Sequence, residues 1–571
     1  MSEEINKAQP LNVVIYWHMH QPEYRDLRSG EYHLPWTYLH SIKDYVDMAA
    51  HLENNKQARV VVNFAPVLLE QIDDYAQQLD DYLHHGKALR DPLLSALADP
   101  VLPHDTESRI HIIKSCMRAN KERLIDRFDT FAMLTEMAET ALANQDRLSY
   151  YSEQFFADLL VWYHLAWTAE TVRKTDDRII ALMKKNRDFS LHDRHVLVEL
   201  FHELISGVIE RYKKLAEQDR IELSMTPYAH PIVPLLIDIE SARQAMPEVE
   251  LPVACEYPDG LERSRWHMKK GIDVFKHYFG FEPQGCWPSE GSISSEMVEL
   301  CDEMGMKWLA SGETVLRNSL QKFSAGPESD DCIQAAYQYR EAATACFFRD
   351  DGLSDLIGFK YSDWHADDAV ANLVHHLECL AEDCKGNSEA IISIILDGEN
   401  AWEYYPENGF HFLSSMYEKL SHNKALKLTT YSEYLESNSG RQALQEIVAG
   451  SWVYGTFSTW IGEKDKNRAW DMLIEAKKVY DRVINDGSLS DEELGLAEMQ
   501  LATCESSDWF WWFGEYNSAE SVVAFDEQYR MHLSNLYQLL NVEPPEYLSK
   551  AFSFGSGDPV MGGVMLPGQQ Q

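Results

Sequence analysis

Two acidic residues stand at places in the sequence where a carboxylate can do chemistry. Glu290 follows the short run Gly-Cys-Trp-Pro-Ser, and Asp397 follows a seven-residue apolar run at 390–396. Two carboxyl groups about 5 to 5.5 Å apart can cleave a glycosidic bond with retention of configuration, whereas a gap of about 6.5 to 9.5 Å predicts inversion. The alternative is that each acid caps the helix after its strand.

Two histidines, His18 and His20, alternate at the end of the first apolar run. In a strand such side chains point the same way. They predict either a metal pair, completed by a ligand such as His230 or Asp350, or a pair of hydrogen-bonding groups for sugar hydroxyls. Structural packing is the third interpretation, and the His-x-His pattern alone does not separate the three.

Aromatic residues are frequent in the sequence, which contains 15 Trp, 28 Tyr and 22 Phe. Flat rings of this kind stack on the apolar faces of sugars. Several lie near predicted strand ends or in the loops after them, namely Trp36, Trp287, Trp364, Trp402, Tyr404, Tyr405 and Trp460. The run DWFWWF at 508–513 predicts core packing between domains, with an exposed stacking platform as the alternative.

Seven short apolar runs predict the parallel strands that would position these groups. They span residues 12–17, 59–64, 221–225, 285–287, 307–311, 346–349 and 390–396. Helical patterns lie between them, for example at 66–83, 295–304 and 369–382. Strands that alternate with helices predict an α/β fold, in which functional groups gather at the C-terminal ends of the strands.

The spacing of the strands predicts the domain organisation. Residues 1–430 would form the α/β domain, with a helical insertion at about 105–220 or, alternatively, a separate helical domain there. Residues 431–550 have amphipathic helical periodicity and predict a helical bundle that packs on the first domain. Residues 551–571 are rich in Gly, Pro and Gln and predict a flexible tail.

The composition of the chain restricts the classes of partner that the protein is expected to bind. The 51 basic and 92 acidic residues give a formal charge of −41, which argues against nucleic acid or an anionic membrane surface as a partner. No apolar run reaches the roughly 20 residues that span a bilayer. The acidic N-terminal segment and nine scattered cysteines without a Cys-x-x-Cys pair predict a cytoplasmic protein with reduced thiols. Phosphate-loop, dinucleotide-binding and serine-elbow motifs are absent from the sequence.

Taken in order, these residues resemble glycoside hydrolase family 57, whose members act on α-glucans such as starch, glycogen and pullulan. Five motifs carry the resemblance: HMHQP at 18–22, ELSMTPYAHPI at 222–232, GCWPSE at 285–290, LDGEN at 396–400, and GTFSTWIG at 455–462 ahead of Trp470 and Asp471. The resemblance spans about residues 12–540. The Thr-Pro-Tyr-x-His-Pro form of the second motif is similar to the α-amylase and amylopullulanase type more than to the branching enzymes.

The resemblance implies an incomplete seven-stranded (β/α) barrel followed by a C-terminal α-helical bundle, acting with retention and without a metal or other cofactor. It implies that Glu290 is the nucleophile and that Asp397 is the general acid/base. An α-glucan polysaccharide or oligosaccharide would be the substrate. The residues implied to line the sugar-binding subsite are His18, His20, Glu222, Trp287 and Glu399, with Trp460 and Asp471 contributed by the helical part.

Three other functions remain compatible with the sequence. A 4-α-glucanotransferase or branching enzyme would use the same two carboxylates and a sugar acceptor in place of water. A metal-dependent carbohydrate deacetylase or mannosidase would use His18, His20 and a carboxylate as metal ligands. A non-catalytic glucan-binding protein is disfavoured because both carboxylates of the motifs are present.

Overall fold

The computed structural model describes residues 9–323 and 333–557. Cys332 and most of the predicted tail, residues 558–571, lie outside this range. In the described part of the chain, ten strands belong to one sheet. They are β1 (Leu11–Met19), β2 (Val60–Phe64), β3 (Ile221–Met225), β4 (Gly285–Cys286), β5 (Trp308–Ser311), β6 (Tyr337–Tyr339), β7 (Ala345–Phe348), β8 (Ile391–Asp397), β9 (Leu426–Leu428) and β10 (Gln442–Leu444).

Seven of these strands are the predicted ones, and all seven run parallel in the order β7-β5-β4-β3-β2-β1-β8. The strands at the two ends of this order, β7 and β8, are connected only by one isolated bridge between Arg349 and Ser393. The sheet is therefore a curled and incompletely closed barrel, which confirms the predicted fold class.

The other three strands were missed because each has only three residues, too few to show a periodicity. β6 runs antiparallel to β7, while β10 pairs with β6 and β9 pairs with β1, both in parallel. Since β10 spans Gln442–Leu444, the sheet continues past residue 430, where the sequence predicted that the α/β domain ends.

Twenty-two α-helices surround the sheet in the described residues. Around the first strands lie α1 (Trp36–Ile42), α2 (Asp44–Asn54) and α3 (Pro66–His85). The long excursion between β2 and β3 is α4 (Pro92–Ala98), α5 (Thr106–Cys116), α6 (Asp129–Ala143), α7 (Glu153–Trp167), α8 (Glu170–Thr175), α9 (Asp177–Lys185) and α10 (Leu191–Glu217). Between β3 and β10 follow α11 (Val233–Ile237), α12 (Gly260–Phe279), α13 (Ser295–Glu303), α14 (Glu313–Phe323), α15 (Asp351–Asp355), α16 (Ala366–Asp383), α17 (Phe410–His422) and α18 (Tyr431–Ser437). The C-terminal helices are α19 (Lys464–Asp486), α20 (Asp491–Cys504), α21 (Ser507–Trp512) and α22 (Ala519–Leu539).

Strand β1 shows how the core directs side chains to the mouth of the barrel. Alternate residues face opposite sides of a strand. Val13 and Ile15 join the large core under the helices, whereas Val14 and Tyr16 belong to a separate cluster inside the barrel. His18 stands two residues after Tyr16 and therefore faces the same, inner side of the strand. It therefore points into the C-terminal mouth of the barrel.

The helical C-terminal region is fixed to the barrel by a buried charged network. Glu505, directly after α20, accepts hydrogen bonds from Arg263 (2.7 Å) and His267 (2.8 Å) of α12, and also from the hydroxyl of Tyr257. The three ionisable side chains are almost wholly shielded from solvent. Burial makes such a pair costly to break, because the remaining partner keeps its charge without water.

The beginning of the predicted tail is packed against the protein. Ser553 accepts a hydrogen bond from the backbone N–H of Gly514 at 3.1 Å, and Gly557 forms a parallel bridge with Ser518. The prediction of a flexible tail is therefore wrong for residues 551–557, because the small residues there follow the surface of the helical region closely. Among the described residues, no helix has the length and apolar character needed to cross a membrane.

We expect Glu505→Ala to lower the free energy of unfolding by about 3–5 kcal/mol, because it leaves a buried guanidinium without its carboxylate. Urea unfolding followed by circular dichroism measures this. The matched control is Glu303→Ala, which removes an exposed partner of Arg265 and should cost less than about 1 kcal/mol. Equal losses in both variants would contradict the structural role of Glu505.

Candidate active site

Both candidate catalytic carboxylates lie at the C-terminal mouth of the barrel and line one small cavity. Asp397 is the last residue of β8, in register with His18 of β1, and Glu290 lies in the turn after β4. The cavity has a volume of about 30 Å³. Its walls are His18, His20, Gln21, Pro22, Tyr24, Glu290, Asp397, Glu399, Asn400 and Trp512.

Glu290 adopts a backbone conformation that most residues avoid. Its φ is +56°, inside a single 3₁₀ turn at Ser289–Gly291, and such a conformation costs on the order of 1–3 kcal/mol. Trp452 holds the turn twice: its backbone N–H donates to the carbonyl oxygen of Glu290 at 3.1 Å, and its indole N–H donates to Glu290 Oε2 at 2.9 Å. These bonds set the direction of the carboxylate.

Trp452 is itself held on two sides. Its ring meets the ring of Trp287 edge-on at 5.3 Å, and the guanidinium of Arg349 lies 5.3 Å from its ring centre. Arg349 is buried and donates to the carbonyl of Ile395 at 2.8 Å, and its two terminal nitrogens donate to Asp351 and Asp355. The arginine therefore has little freedom to move away from the indole.

Asp397 is positioned by its neighbours in the LDGEN motif. The amide of Asn400 donates to Asp397 Oδ2 at 2.8 Å. Gly398 allows the close approach of β1, because a Cβ at this position would lie 2.1 Å from the sulfur of Met19. The backbone N–H of Gly398 donates to the carbonyl of His18 at 2.7 Å, which ties the acid to the histidine strand.

Burial is the main electrostatic influence on the two carboxyl groups. It raises the pKa of Asp397 to about 6, and it raises the pKa of Glu290 well above its ordinary value, with the negative charge of Asp397 adding to the effect. The hydrogen bond from Trp452 opposes the shift at Glu290, and the bond from Asn400 opposes it at Asp397. Both groups therefore keep their protons to higher pH than free carboxylic acids do.

A chain of hydrogen bonds fixes His18 and His230 as neutral rings. Burial lowers the pKa of His18 to about 3 and that of His230 well below its ordinary value. His18 Nδ1 donates to Asn63 Oδ1 (2.6 Å), so its Nε2 accepts from His230 Nε2 (3.2 Å). His230 Nδ1 then accepts from the hydroxyl of Ser507 at 2.9 Å. The amide of Asn63 thereby decides both tautomers.

His20 is held by a carboxylate from the C-terminal helical region. Its Nε2 donates to Asp508 of α21 at 2.9 Å, and its Nδ1 is buried without a hydrogen-bond partner among the described residues. From the sequence, Asp508 was predicted only to belong to an aromatic core segment, so its contact with His20 was missed. The signal that could have revealed this role is an acid directly before a run of aromatic residues. A carboxylate that is buried among such residues needs a hydrogen-bond partner.

Glu399 lies opposite, in the same small cavity. Its Oε1 accepts hydrogen bonds from the backbone N–H of His20 (3.1 Å), from Gln21 (3.2 Å) and from the hydroxyl of Tyr45 (3.2 Å). Its Oε2 is buried and has no partner among the described residues. Burial, reinforced by the charge of Asp397, raises the pKa of Glu399 well above its ordinary value.

The predicted metal ligands are only partly brought together. In the described part of the chain, His20, His230 and Asp508 are the one group whose ligand atoms all lie within 4.8 Å of one another. Hydrogen bonds to other side chains engage both nitrogens of His230 and one nitrogen of His20. Asp350 lies apart and caps α15 through the backbone N–H of Leu353.

Two predicted substrate-binding residues lie away from this site. Glu222 is near the start of β3, two residues below the level of Asn63, and it bonds the indole N–H of Trp308 and the N–H and hydroxyl of Ser432. Asp471 accepts a hydrogen bond from the backbone of Ala254 at 2.8 Å. Both carboxylates bond protein groups, and neither residue lines the small cavity. Their substrate-binding roles stay predictions.

The two predicted aromatic contacts, Trp287 and Trp460, are buried. Trp287 is wholly buried inside the barrel, 6.2 Å from His18 between ring centres, and supports the site from below. Trp460 is wholly buried behind Trp511, at 5.7 Å between ring centres. Neither ring lines the small cavity, and their roles in direct sugar contact stay predictions.

A second, larger cavity of about 540 Å³ adjoins the first and shares Asp397 and Asn400 with it. Three parts of the chain meet there: the insertion through Asn120 and Arg123, the barrel loops, and the C-terminal region. Its aromatic lining consists of Phe359, Tyr404, Trp452, Tyr454 and Trp511. Thus Trp511, from the segment predicted to form core, is the ring that reaches this cavity, while its neighbours are buried.

The sequence of residues 14–448 matches the family model described as Glycosyl hydrolase family 57. The chain belongs to this family. A comparison with curated proteins gives no match. The family membership agrees with the resemblance recognised from the five motifs.

Solved structures of the family share the fold at low identity. The branching enzyme of Thermococcus kodakaraensis, crystallised with glucose, has a TM-score of 0.55 and 15% identity over 93% of this chain and 90% of that chain. The α-amylase of Thermotoga maritima has a TM-score of 0.56 and 13% identity over 93% of both chains. The 4-α-glucanotransferase of Thermococcus litoralis has a TM-score of 0.51 and 12% identity over 93% of this chain and 60% of that chain.

We expect Trp452→Phe to lower kcat/KM for glycoside cleavage about 10- to 150-fold, since a hydrogen bond to a charged group contributes about 1.5–3 kcal/mol. Loss of the donor also raises the pKa of Glu290 further. The pH profile of kcat/KM should therefore move to higher pH, and neither limb should move lower.

The matched control for this variant is Trp308→Phe. It likewise removes an indole N–H that donates to a glutamate, Glu222, but at the other end of the barrel interior. Its pH profile should superimpose on that of the wild type. Superimposable profiles for all three proteins would show that Trp452 does not control the ionisation of Glu290.

Proposed function

We propose that the protein is a retaining glycoside hydrolase that acts on α-glucans, with Glu290 as the nucleophile and Asp397 as the general acid/base. The observation that carries this proposal is the placement of both carboxyl groups in one buried cavity at the mouth of the barrel. Membership of family 57 and the α-glucan-active enzymes among its structural neighbours support the choice of substrate.

The proposed reaction has two steps. In the first, a Glu290 oxygen bonds to the anomeric carbon while the glycosidic C–O bond breaks, and its electron pair goes to the leaving oxygen, which takes the proton of Asp397. In the second, Asp397 removes a proton from water, whose oxygen displaces Glu290 from the sugar. Catalysis uses the form of the pair in which Asp397 holds the proton, and Trp452 favours that form by bonding the Glu290 carboxylate.

The large cavity beside Asp397 favours one alternative, transfer to a sugar acceptor. The acid that protonates the leaving oxygen must face the leaving part of the substrate, so this cavity receives it. Aromatic rings and charged groups line it, and both features suit sugar binding. A second glucan chain bound there would replace water and yield a 4-α-glucanotransferase or branching enzyme.

We expect Glu290→Gln and Asp397→Asn each to abolish turnover of maltoheptaose without loss of the fold, because both changes preserve side-chain shape. α-Glucosyl fluoride separates the two roles, since fluoride leaves without protonation. Asp397→Asn should still release fluoride in a first turnover, and Glu290→Gln should not. Near-wild-type maltoheptaose turnover in either variant would contradict the assignment.

We expect maltoheptaose to yield shorter oligosaccharides, with the new reducing end first in the α configuration, when products are followed by chromatography and NMR. EDTA should leave the rate unchanged. Products both longer and shorter than seven sugars would indicate a transferase. Turnover that EDTA stops would instead support a metal at His20, His230 and Asp508.

We expect a bell-shaped dependence of kcat/KM on pH between 4 and 9, with the alkaline limb above pH 6. Asp397 must be protonated to act as the acid, and burial raises the pKa of Asp397 to about 6. An unperturbed aspartic acid would lose its proton near pH 4. Asp397→Asn assayed with α-glucosyl fluoride should lack the alkaline limb. A wild-type alkaline limb near pH 4 would contradict the buried pair.

A further inference from the structure

The more exposed side of the small cavity is the side that it shares with the large one. Of its ten lining residues, eight are buried, and only Asp397 and Asn400 are partly exposed. These two are also the residues that the small cavity shares with the large one. Access to the space beside Glu290 therefore leads through the large cavity and past Asp397.

The wall opposite this entrance is tied together by buried hydrogen bonds. The hydroxyl of Tyr24 donates to Gln21 at 3.0 Å, and Gln21 donates to Glu399 at 3.2 Å. His20 donates to Asp508 across the junction between the barrel and α21. Trp512 is stacked on Phe525 with 4.8 Å between ring centres. A substrate that extended through this wall would have to break several buried interactions at once.

The volume sets how much of a substrate can lie beyond Asp397. A cavity of about 30 Å³ has room for only about two or three water molecules. Even one sugar ring requires local side-chain movement, and a second ring beyond it would need the wall to open. The large cavity, at about 540 Å³, has room for the remainder of the chain.

The proposed chemistry fixes the direction of the chain. Asp397 protonates the leaving oxygen, so the reducing-end part of the glucan lies in the large cavity. The sugar attacked by Glu290 then lies in the small cavity with its non-reducing end against the closed wall. An internal glucose residue would carry a further sugar on O4 at that place, whereas a terminal residue carries a free hydroxyl.

Two unsatisfied atoms suit such a hydroxyl. Glu399 Oε2 and His20 Nδ1 are buried, belong to residues that line the small cavity, and have no hydrogen-bond partner among the described residues. Buried polar atoms of this kind are costly unless a ligand or water satisfies them. When the side chains move to admit a terminal glucosyl residue, its hydroxyls can donate to Glu399 and bond to His20.

We propose that the enzyme acts on chain ends: it accepts one non-reducing terminal glucosyl residue in the small cavity and cleaves or transfers it singly. This inference rests on the proposed function, since it uses Asp397 as the acid. It assigns the closed wall of His20, Gln21, Tyr24, Glu399 and Trp512 as the feature that excludes internal cleavage.

The test compares two maltoheptaoses that carry a fluorophore at the reducing end, one with a free non-reducing end and one blocked there by a 4,6-O-ethylidene group. The free substrate should shorten one glucose at a time, with glucose released in equal amount. The blocked substrate should be cleaved at least 100-fold more slowly.

The outcomes separate the two proposals. Comparable cleavage of the blocked substrate, or internal fragments as the first products, would overturn the chain-end inference and leave the proposed function intact. Turnover of neither substrate would overturn both.

A variant tests the wall directly. Tyr24→Ala should raise the ratio of blocked to free turnover at least tenfold, because it opens space behind the terminal sugar. Tyr32→Ala is the matched control, since Tyr32 is equally buried, bonds Asp74 and does not line the cavity. A ratio unchanged in a folded Tyr24→Ala protein would contradict the role of the wall.

Discussion

The structure depends on the burial of two carboxyl groups in one small cavity. Removing Glu290 and Asp397 from water raises the pKa of both, and their mutual repulsion makes full ionisation of the pair costly at neutral pH. The rest of the site limits this cost by directed hydrogen bonds: Trp452 donates to Glu290, and Asn400 donates to Asp397. A carboxyl group that keeps its proton to higher pH is able to act as a general acid.

Holding that pair requires parts of the chain that are far apart in sequence. The positive φ of Glu290 is supported by Trp452, which follows it by 162 residues, and Trp452 is supported in turn by Arg349. The C-terminal helical region contributes Ser507 and Asp508, which complete the histidine network. Since α21 directly follows the Glu505 network that fixes this region to α12, the docking of the helices and the assembly of the site are coupled.

Much of this arrangement could be predicted from sequence. The seven parallel strands were predicted because a strand buried on both faces is continuously apolar, and Asp397, Glu290, His18 and His20 were selected because they stand where such strands end. The short strands β6, β9 and β10 were missed because three residues carry no periodicity. Trp460 and Asp471 were assigned by motif position alone, whereas the residues of this region that line the large cavity and bond His20 are Trp511 and Asp508.

The sequence by itself determined the fold class, the family and the two candidate catalytic carboxylates, since apolar periodicity and motif order are local properties of the chain. Tertiary structure decided which residues meet at the mouth of the barrel. It placed Glu222 below the site although it begins a motif, and it brought Trp452 and Asp508 into the site from segments that looked structural. It also decided that the small cavity adjoins the large one at Asp397 and Asn400. The reason is physical: cavity shape and hydrogen-bond partners arise from packing between segments hundreds of residues apart, and no local pattern records that packing.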